Sequence, residues 1–328
     1  MPDIIFHIGM AKCASTTLQN IVFSQMPGYL GTGKKIPRGE NFAKTFQTFS
    51  PVGPRLRGSL AAAESWSKSV LAYRERTWPK VQRLIVSTEF LTNRNRFHSR
   101  PIVPFLERFS KVIWDNGAVK AIIVLRNPAE RMASNYAQSS SVIFGASQAD
   151  FETRIDHILT RDREILDVGS WVDDLYRALG RDNVCVLLME DIGELRFWQE
   201  LKSFADLEPF DPSSMLTRDG MNQRKLASNT WHLSKFNRKN LAKSQAGKLV
   251  GLIWPGGRLP GFRQKSALLL THGLSAMQAL NPSQLKERRR GEKIELTEEI
   301  RARVNDFCRP FHERLAELLE RDLTKLGY

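Results

Sequence analysis

Apolar residues in this chain fall into short dense runs separated by longer stretches with helical spacing. "DIIFHIG" (3–9), "RLIVSTEFL" (83–91), "VKAIIVLRNP" (119–128) and "NVCVLLMEDI" (183–192) are apolar on both faces and rich in β-branched residues, which predicts buried strands. Gly9 ends the first and Pro128 the third. Between them, 15–26, 59–76, 101–113, 129–140 and 196–207 read as helices, and 150–180 as one or two, with Trp171, Leu175 and Leu179 at i, i+4 and i+8. Residues 27–60 read as irregular loop with short helical pieces, and 209–265 as mixed, basic and loop-rich. The segment 296–323 begins with a capping signal, Thr297 followed by Glu298 and Glu299, and contains Pro310, which is expected to kink or divide it.

Strands that are apolar on both faces and alternate with helices define an α/β fold: a central, mostly parallel sheet flanked by helices on both faces. In such sheets ligands bind beyond the carboxyl ends of the strands. That rule selects residues 10–17, 88–91, 126–134 and 189–192, and predicts that their polar side chains converge on one site.

Composition changes this picture in one respect. An apolar fraction of 41% and a charged fraction of 26% are ordinary for a globular protein, but 49 Lys and Arg against 35 Asp and Glu leave a formal charge of +14. An excess of that size points to an anionic partner. The three cysteines, Cys13, Cys185 and Cys308, are far apart and form neither a metal-spaced pair nor a disulfide framework, which suggests a reducing compartment. The first residues lack the basic and apolar regions of a secretory leader, and 248–257, the longest apolar candidate, is broken by glycines and a proline. The expectation is a cytoplasmic protein with no transmembrane segment. Oligomeric state is not encoded in any pattern recognised here.

The stretch "FHIGMAKCASTTLQN" (6–20) joins the first strand to a helix through small residues, a lysine and three hydroxyls. Backbone N–H groups at a helix N-terminus attract anions, small residues let a phosphate approach them, and Lys12 with Ser15, Thr16 and Thr17 adds charge and donors. The same residues also suit an ordinary turn capped by Ser15 or Thr16. The stretch is not a nucleoside-triphosphatase loop of the form G-x-x-x-x-G-K-S/T, because the lysine lies within the turn and Ala14 stands where the second glycine belongs. A second stretch, "VLRNPAERMASNYAQ" (124–138), puts Arg126 at a strand's carboxyl end and Ser134 eight residues on. A guanidinium there can hold a phosphate through two prongs.

Together the two stretches resemble the sulfotransferase family that uses 3′-phosphoadenosine 5′-phosphosulfate (PAPS). The first is similar to the family's phosphosulfate loop, P-K-S/T-G-S/T-S/T, with Ala11 for the proline, Cys13 for a hydroxyl residue and Ala14 for the glycine. The second is similar to its 3′-phosphate motif, L-R-N/D-P-x-x-R-x-x-S-x-Y, and matches at Leu125, Arg126, Asn127, Pro128, Arg131, Ser134 and Tyr136. The resemblance implies a P-loop-like fold in a single domain over 1–328, PAPS as donor and PAP as product, and no metal. It implies that Lys12 stabilises the leaving phosphate and that residues 12–17 (Lys12, Cys13, Ala14, Ser15, Thr16 and Thr17) hold the 5′ end. Arg126 and Ser134 would hold the 3′-phosphate.

Glu89 resembles the S-x-E carboxylate of bacterial and glycan-modifying members, where it serves as base; a solvated strand-end ion pair is the alternative. His98 and His7 are other candidates for the base, although His7 lies within a strand and reads as a core residue. Glu190 reads as structural. In "GMNQRKLASN" (220–229), Arg224 or Lys225 would add a cation to the 3′-phosphate, or belong to a solvated basic loop. The run "KERRRGEK" (286–293) reads as a solvated helix end or a contact for an acidic substrate. The resemblance points to a carbohydrate or glycolipid hydroxyl as acceptor, recognised by variable segments near 27–80 and 209–295, in a bacterial protein. A small-molecule kinase of similar fold is an alternative, disfavoured by the position of the lysine. A nucleic-acid-binding protein is another, motivated by the charge but disfavoured by the scatter of the basic residues.

Overall fold

In the computed structural model the residues described are 3–31, 79–88, 102–113, 118–143, 145–161, 163–217, 229–234 and 292–328, with isolated helical positions between 68 and 77. Five strands form one parallel sheet: β1 (Asp3–Gly9), β2 (Tyr29–Gly31), β3 (Arg83–Thr88), β4 (Val119–Leu125) and β5 (Val184–Leu188), in the order β2-β3-β1-β4-β5. The expected parallel sheet is therefore present. It also gains a strand, β2, inside the stretch read from sequence as irregular. Three residues are too few to show a periodicity; Tyr29 and Leu30 are buried there because they pair with Ile85 and Val86 of β3.

Register places the strand ends side by side. Ile8 pairs with Thr88 on one side and Ile123 on the other, Gly9 with Val124, and Leu125 with Leu188. Side chains alternate across β1. Phe6 meets Phe105 and Phe109 of α2 (Ile102–Ile113) edge-on, with ring centroids 6.1 and 5.3 Å away, whereas His7 on the other face meets Phe23, 5.4 Å away, in the helical run after β1. Both faces of the central strand are thus covered. That run starts as α1 (Ser15–Thr17), continues as a π turn (Leu18–Val22) and ends as a 3-10 turn (Phe23–Gln25).

The third strand stops at Leu125, three residues earlier than read, and Pro128 opens a helix rather than closing a strand. Asn127 caps α3 (Pro128–Ser139) by accepting from the N–H groups of Ala129 (3.0 Å) and Glu130 (3.3 Å), and Pro128 fills the first helical position, where its missing N–H costs nothing. The last strand likewise ends at Leu188, and Met189–Asp191 forms a 3-10 turn. Residues 150–180 hold two helices, α4 (Gln148–Arg161) and α5 (Val168–Leu179). Asp167 caps the second at Ser170 N–H (3.0 Å), and Trp171, Leu175 and Leu179 lie on its buried side. Next comes α6 (Leu195–Ala205).

Thr297 caps α7 (Glu298–Leu319) at Ile300 N–H (3.2 Å). The third helical position is Ile300, so the reciprocal half of a capping box is missing. Pro310 does not divide α7, which runs through it and packs on α5. Gly169 allows that contact: a Cβ there would lie 2.7 Å from the Phe311 carbonyl oxygen. One core cluster surrounds the sheet. A second lies beneath α3, α4, α7 and the antiparallel pair β6 (Thr230–His232) and β7 (Lys293–Glu295). No helix among the described residues is long and apolar enough to cross a membrane.

Candidate functional site

The turn after β1 is held by its own backbone. The Met10 carbonyl accepts from the N–H of Cys13 (3.3 Å) and the hydroxyl of Ser15 (3.3 Å), and the Ala14 carbonyl accepts from Leu18 N–H (3.0 Å). Closing so tight a turn puts Lys12 at φ 71° and Ala14 at φ 54°. This left-handed region costs a residue with a Cβ about 1–2 kcal/mol. Ala14 is the N-cap of α1 and offers no side-chain cap to the first-turn N–H groups. Lys12 is half-buried, Thr16 is exposed, and Cys13, Ser15 and Thr17 are buried. The Cys13 thiol lies 3.7 Å from the Ala11 carbonyl. The Ser15 hydroxyl is thus engaged within the turn, and Thr16 shows its hydroxyl to solvent.

Arg126 leaves the end of β4 and reaches this turn. Its Nη1 donates to the Lys12 carbonyl (3.3 Å), fixing the backbone at one of the two strained residues. Its Nη2 donates to Glu130 Oε2 (3.1 Å), one turn along α3, and Glu130 Oε1 accepts from Arg301 Nη2 of α7 (2.9 Å). Ser134 is half-buried and lies one further turn along the helix face that carries Glu130. The structure therefore joins Lys12 to Arg126 directly and sets Ser134 on the same side of α3.

Residues behind this pair hold the strand ends together. Asn127 N–H donates to Glu190 Oε1 (2.7 Å), Tyr328 OH donates to Glu190 Oε2 (3.2 Å), and the side-chain amides of Asn127 and Asn305 both donate to the Gly327 carbonyl. Burial pushes the Glu190 carboxyl above its usual range, against the opposing pull of Asn127 N–H. Burial also raises the Tyr328 hydroxyl, and Glu190 adds to that rise. The contacts of Glu190 tie β5 to β4, as its structural reading expects. Arg131, which matches the second motif, turns away from the turn after β1. It is desolvated, so its guanidinium holds its proton less firmly than usual, and its Nη2 donates to the Ile165 carbonyl (3.0 Å).

His7 is a core residue and does not serve as base. Burial holds it down to about pH 3, its Nδ1 meets Ser87 Oγ (2.7 Å), and Gln19 Nε2 donates to the same hydroxyl (3.0 Å). Glu89, His98, Arg224 and Lys225, with most of the segments 27–80 and 209–295, lie outside the described residues. Cys13, Cys185 and Cys308 are all buried free thiols.

Sequence reasoning missed Glu130 and Arg301. Glu130 carried a signal, an acid four residues after Arg126 at the start of a helix. Arg301 carried none, being far away in sequence and joined to the site only by the fold.

These features define an α/β protein with an anion-binding turn after its first strand and a guanidinium bridging from a neighbouring one. A family model described as a sulfotransferase domain matches residues 2–191, more than half of the 328, and the chain belongs to the sulfotransferase family of transferases. The crystal structure of a sulfotransferase from Alicyclobacillus acidocaldarius aligns with 99% of this chain and 98% of its own, at 18% identity and a TM-score of 0.46. No curated protein matches the chain. Family membership sets aside the kinase and nucleic-acid-binding alternatives.

Proposed function

We propose that this sulfotransferase uses PAPS as donor and transfers the sulfuryl group to a hydroxyl of a carbohydrate or glycolipid. The observation that carries the reading is the Arg126–Lys12 contact: two cationic strand ends meet, as a donor with phosphates at both ends of its ribose requires. The donor set fits such a molecule. Uncapped first-turn N–H groups and the Lys12 ammonium suit the 5′ end, and Arg126 with Ser134 suits the 3′-phosphate.

When bound, PAPS supplies the sulfuryl group and departs as PAP: the bond from the acceptor oxygen to sulfur forms as the bond from sulfur to the bridging oxygen breaks. Lys12 holds its positive charge where that bridging oxygen gathers negative charge, so it stabilises the transition state more than the ground state. Arg126 orients the nucleotide and braces the turn that carries Lys12. Glu89 takes the proton of the acceptor hydroxyl. It follows Thr88, whose strand partner Ile8 lies two residues before Met10. The chain acts as one domain, with 27–80 and 209–295 shaping the acceptor pocket.

The test is transfer of label from sulfur-labelled PAPS to a panel of carbohydrates and glycolipids. The wild type is expected to label at least one acceptor. Lys12→Ala is expected to lower turnover about 10²–10³-fold, and Glu89→Gln about 10²–10⁴-fold. Undiminished turnover in Lys12→Ala contradicts the assignment, and label confined to non-carbohydrate acceptors contradicts the acceptor class.

A further inference from the structure

Glu130 stands between two guanidinium groups. Arg126 Nη2 lies 3.1 Å from one carboxylate oxygen and Arg301 Nη2 lies 2.9 Å from the other; Arg301 Nη2 also donates to Asn229 Oδ1 (3.1 Å). The three side chains are only 14%, 24% and 22% exposed, so charges here interact more strongly than on an open surface. One more acid, Glu298, lies 3.9 Å from Arg301 Nε, but it is mostly exposed and screened.

Charge counting shows what Arg301 contributes. Arg126 and Glu130 alone form a closed, neutral pair, a poor attractor for a phosphate dianion. With Arg301 on the second oxygen the group is two cations and one anion, net +1. Glu130 then aims Arg126 without cancelling it.

We propose that Arg301 is a positioning residue for nucleotide selection: by sharing Glu130 it keeps the charge of Arg126 available and sets the preference for a 3′-phosphorylated nucleotide over one lacking that phosphate. The inference rests on the PAPS reading. A purely structural role for Arg301 makes a different forecast, because loosening α7 from α3 weakens all nucleotides alike.

The experiment is calorimetric titration of PAP and of ADP into wild type, Arg301→Ala, Arg301→Lys and the double variant Glu130→Gln/Arg301→Ala, with thermal melting to confirm that each is folded. By the same count, Arg301→Ala is net zero, while Arg301→Lys and the double variant are net +1. Arg301→Ala is expected to reduce the PAP-over-ADP preference about tenfold, an effect of the size seen when a close charge partner is lost. Arg301→Lys and the double variant are expected to return to within about threefold of wild type, the scatter of partly exposed pairs.

A preference unchanged in Arg301→Ala, or a double variant no better than the single, overturns the inference while leaving the PAPS reading intact. A wild type that does not prefer PAP overturns the PAPS reading, and the inference with it.

Discussion

The ends of β1 and β4 meet at one site but are built in opposite ways. The turn after β1 takes its shape from bonds within residues 10–18, with Met10 and Ala14 as acceptors, and accepts two left-handed residues to do so. The end of β4 takes its shape from partners far along the chain: Glu190 on Asn127 N–H, Gly327 on the Asn127 amide, and Arg301 on Glu130. A local turn presents backbone donors at a cost in strain. A long-range assembly presents side-chain charge and needs the whole fold to aim it. Arg126 couples the two.

The contrast forecasts which end is sensitive to remote change. Asn127→Ala removes the cap of α3 and leaves the Gly327 carbonyl with fewer donors. The expected loss is about 2–4 kcal/mol, from a cap of about 1 and an unmet buried group of about 1–3. Chemical denaturation measures it, and a loss below about 0.5 kcal/mol, the range of an ordinary surface change, breaks the account of the β4 end.

One buried histidine lies behind each end: His7 under β1, held down to about pH 3, and His312, 5.0 Å from the Tyr328 ring and held down to about pH 4. In the unfolded chain both titrate near pH 6.5. Below that value the unfolded chain binds protons that the folded one refuses, so stability falls as the pH drops, by about 1.4 kcal/mol per unit for each histidine until its folded value is reached. His7→Gln and His312→Gln are each expected to flatten the slope of unfolding free energy between pH 6 and 4.5 by that amount. An unchanged slope contradicts the burial of that histidine.

The smallest effect belongs to the strained turn. Ala14→Gly relieves the left-handed Cβ but frees the unfolded chain, so a gain of about 0.5–1 kcal/mol is expected. A loss in thermal melting means that the turn needs the alanine methyl for packing.

The same contrast explains what the sequence revealed. The four long strands were legible because β1, β3, β4 and β5 are buried on both faces and carry that fact in their composition. β2 was not, because three residues show no period and Tyr29 is buried only by pairing with β3. Pro128 was read as a stop, whereas Asn127 before it makes it a start; the cap and the proline have to be read together. In the site, the turn after β1 was legible as a run of small residues and hydroxyls, and Arg126 as a strand-end cation. Glu190, Arg301 and the 323–328 segment act through contacts that span more than sixty residues and leave no local pattern.

The central claim is that these two ends together hold a nucleotide with phosphates at both its 5′ and 3′ positions. Titration of PAP into the wild type and Arg126→Ala, with ADP as control, tests it most directly. The account predicts micromolar or tighter PAP binding to the wild type, weak ADP binding, and a loss of at least about tenfold for PAP in the variant, as removal of a charge-assisted two-pronged contact implies. Equal affinity for PAP and ADP in the wild type, or PAP binding untouched by loss of the guanidinium, contradicts it.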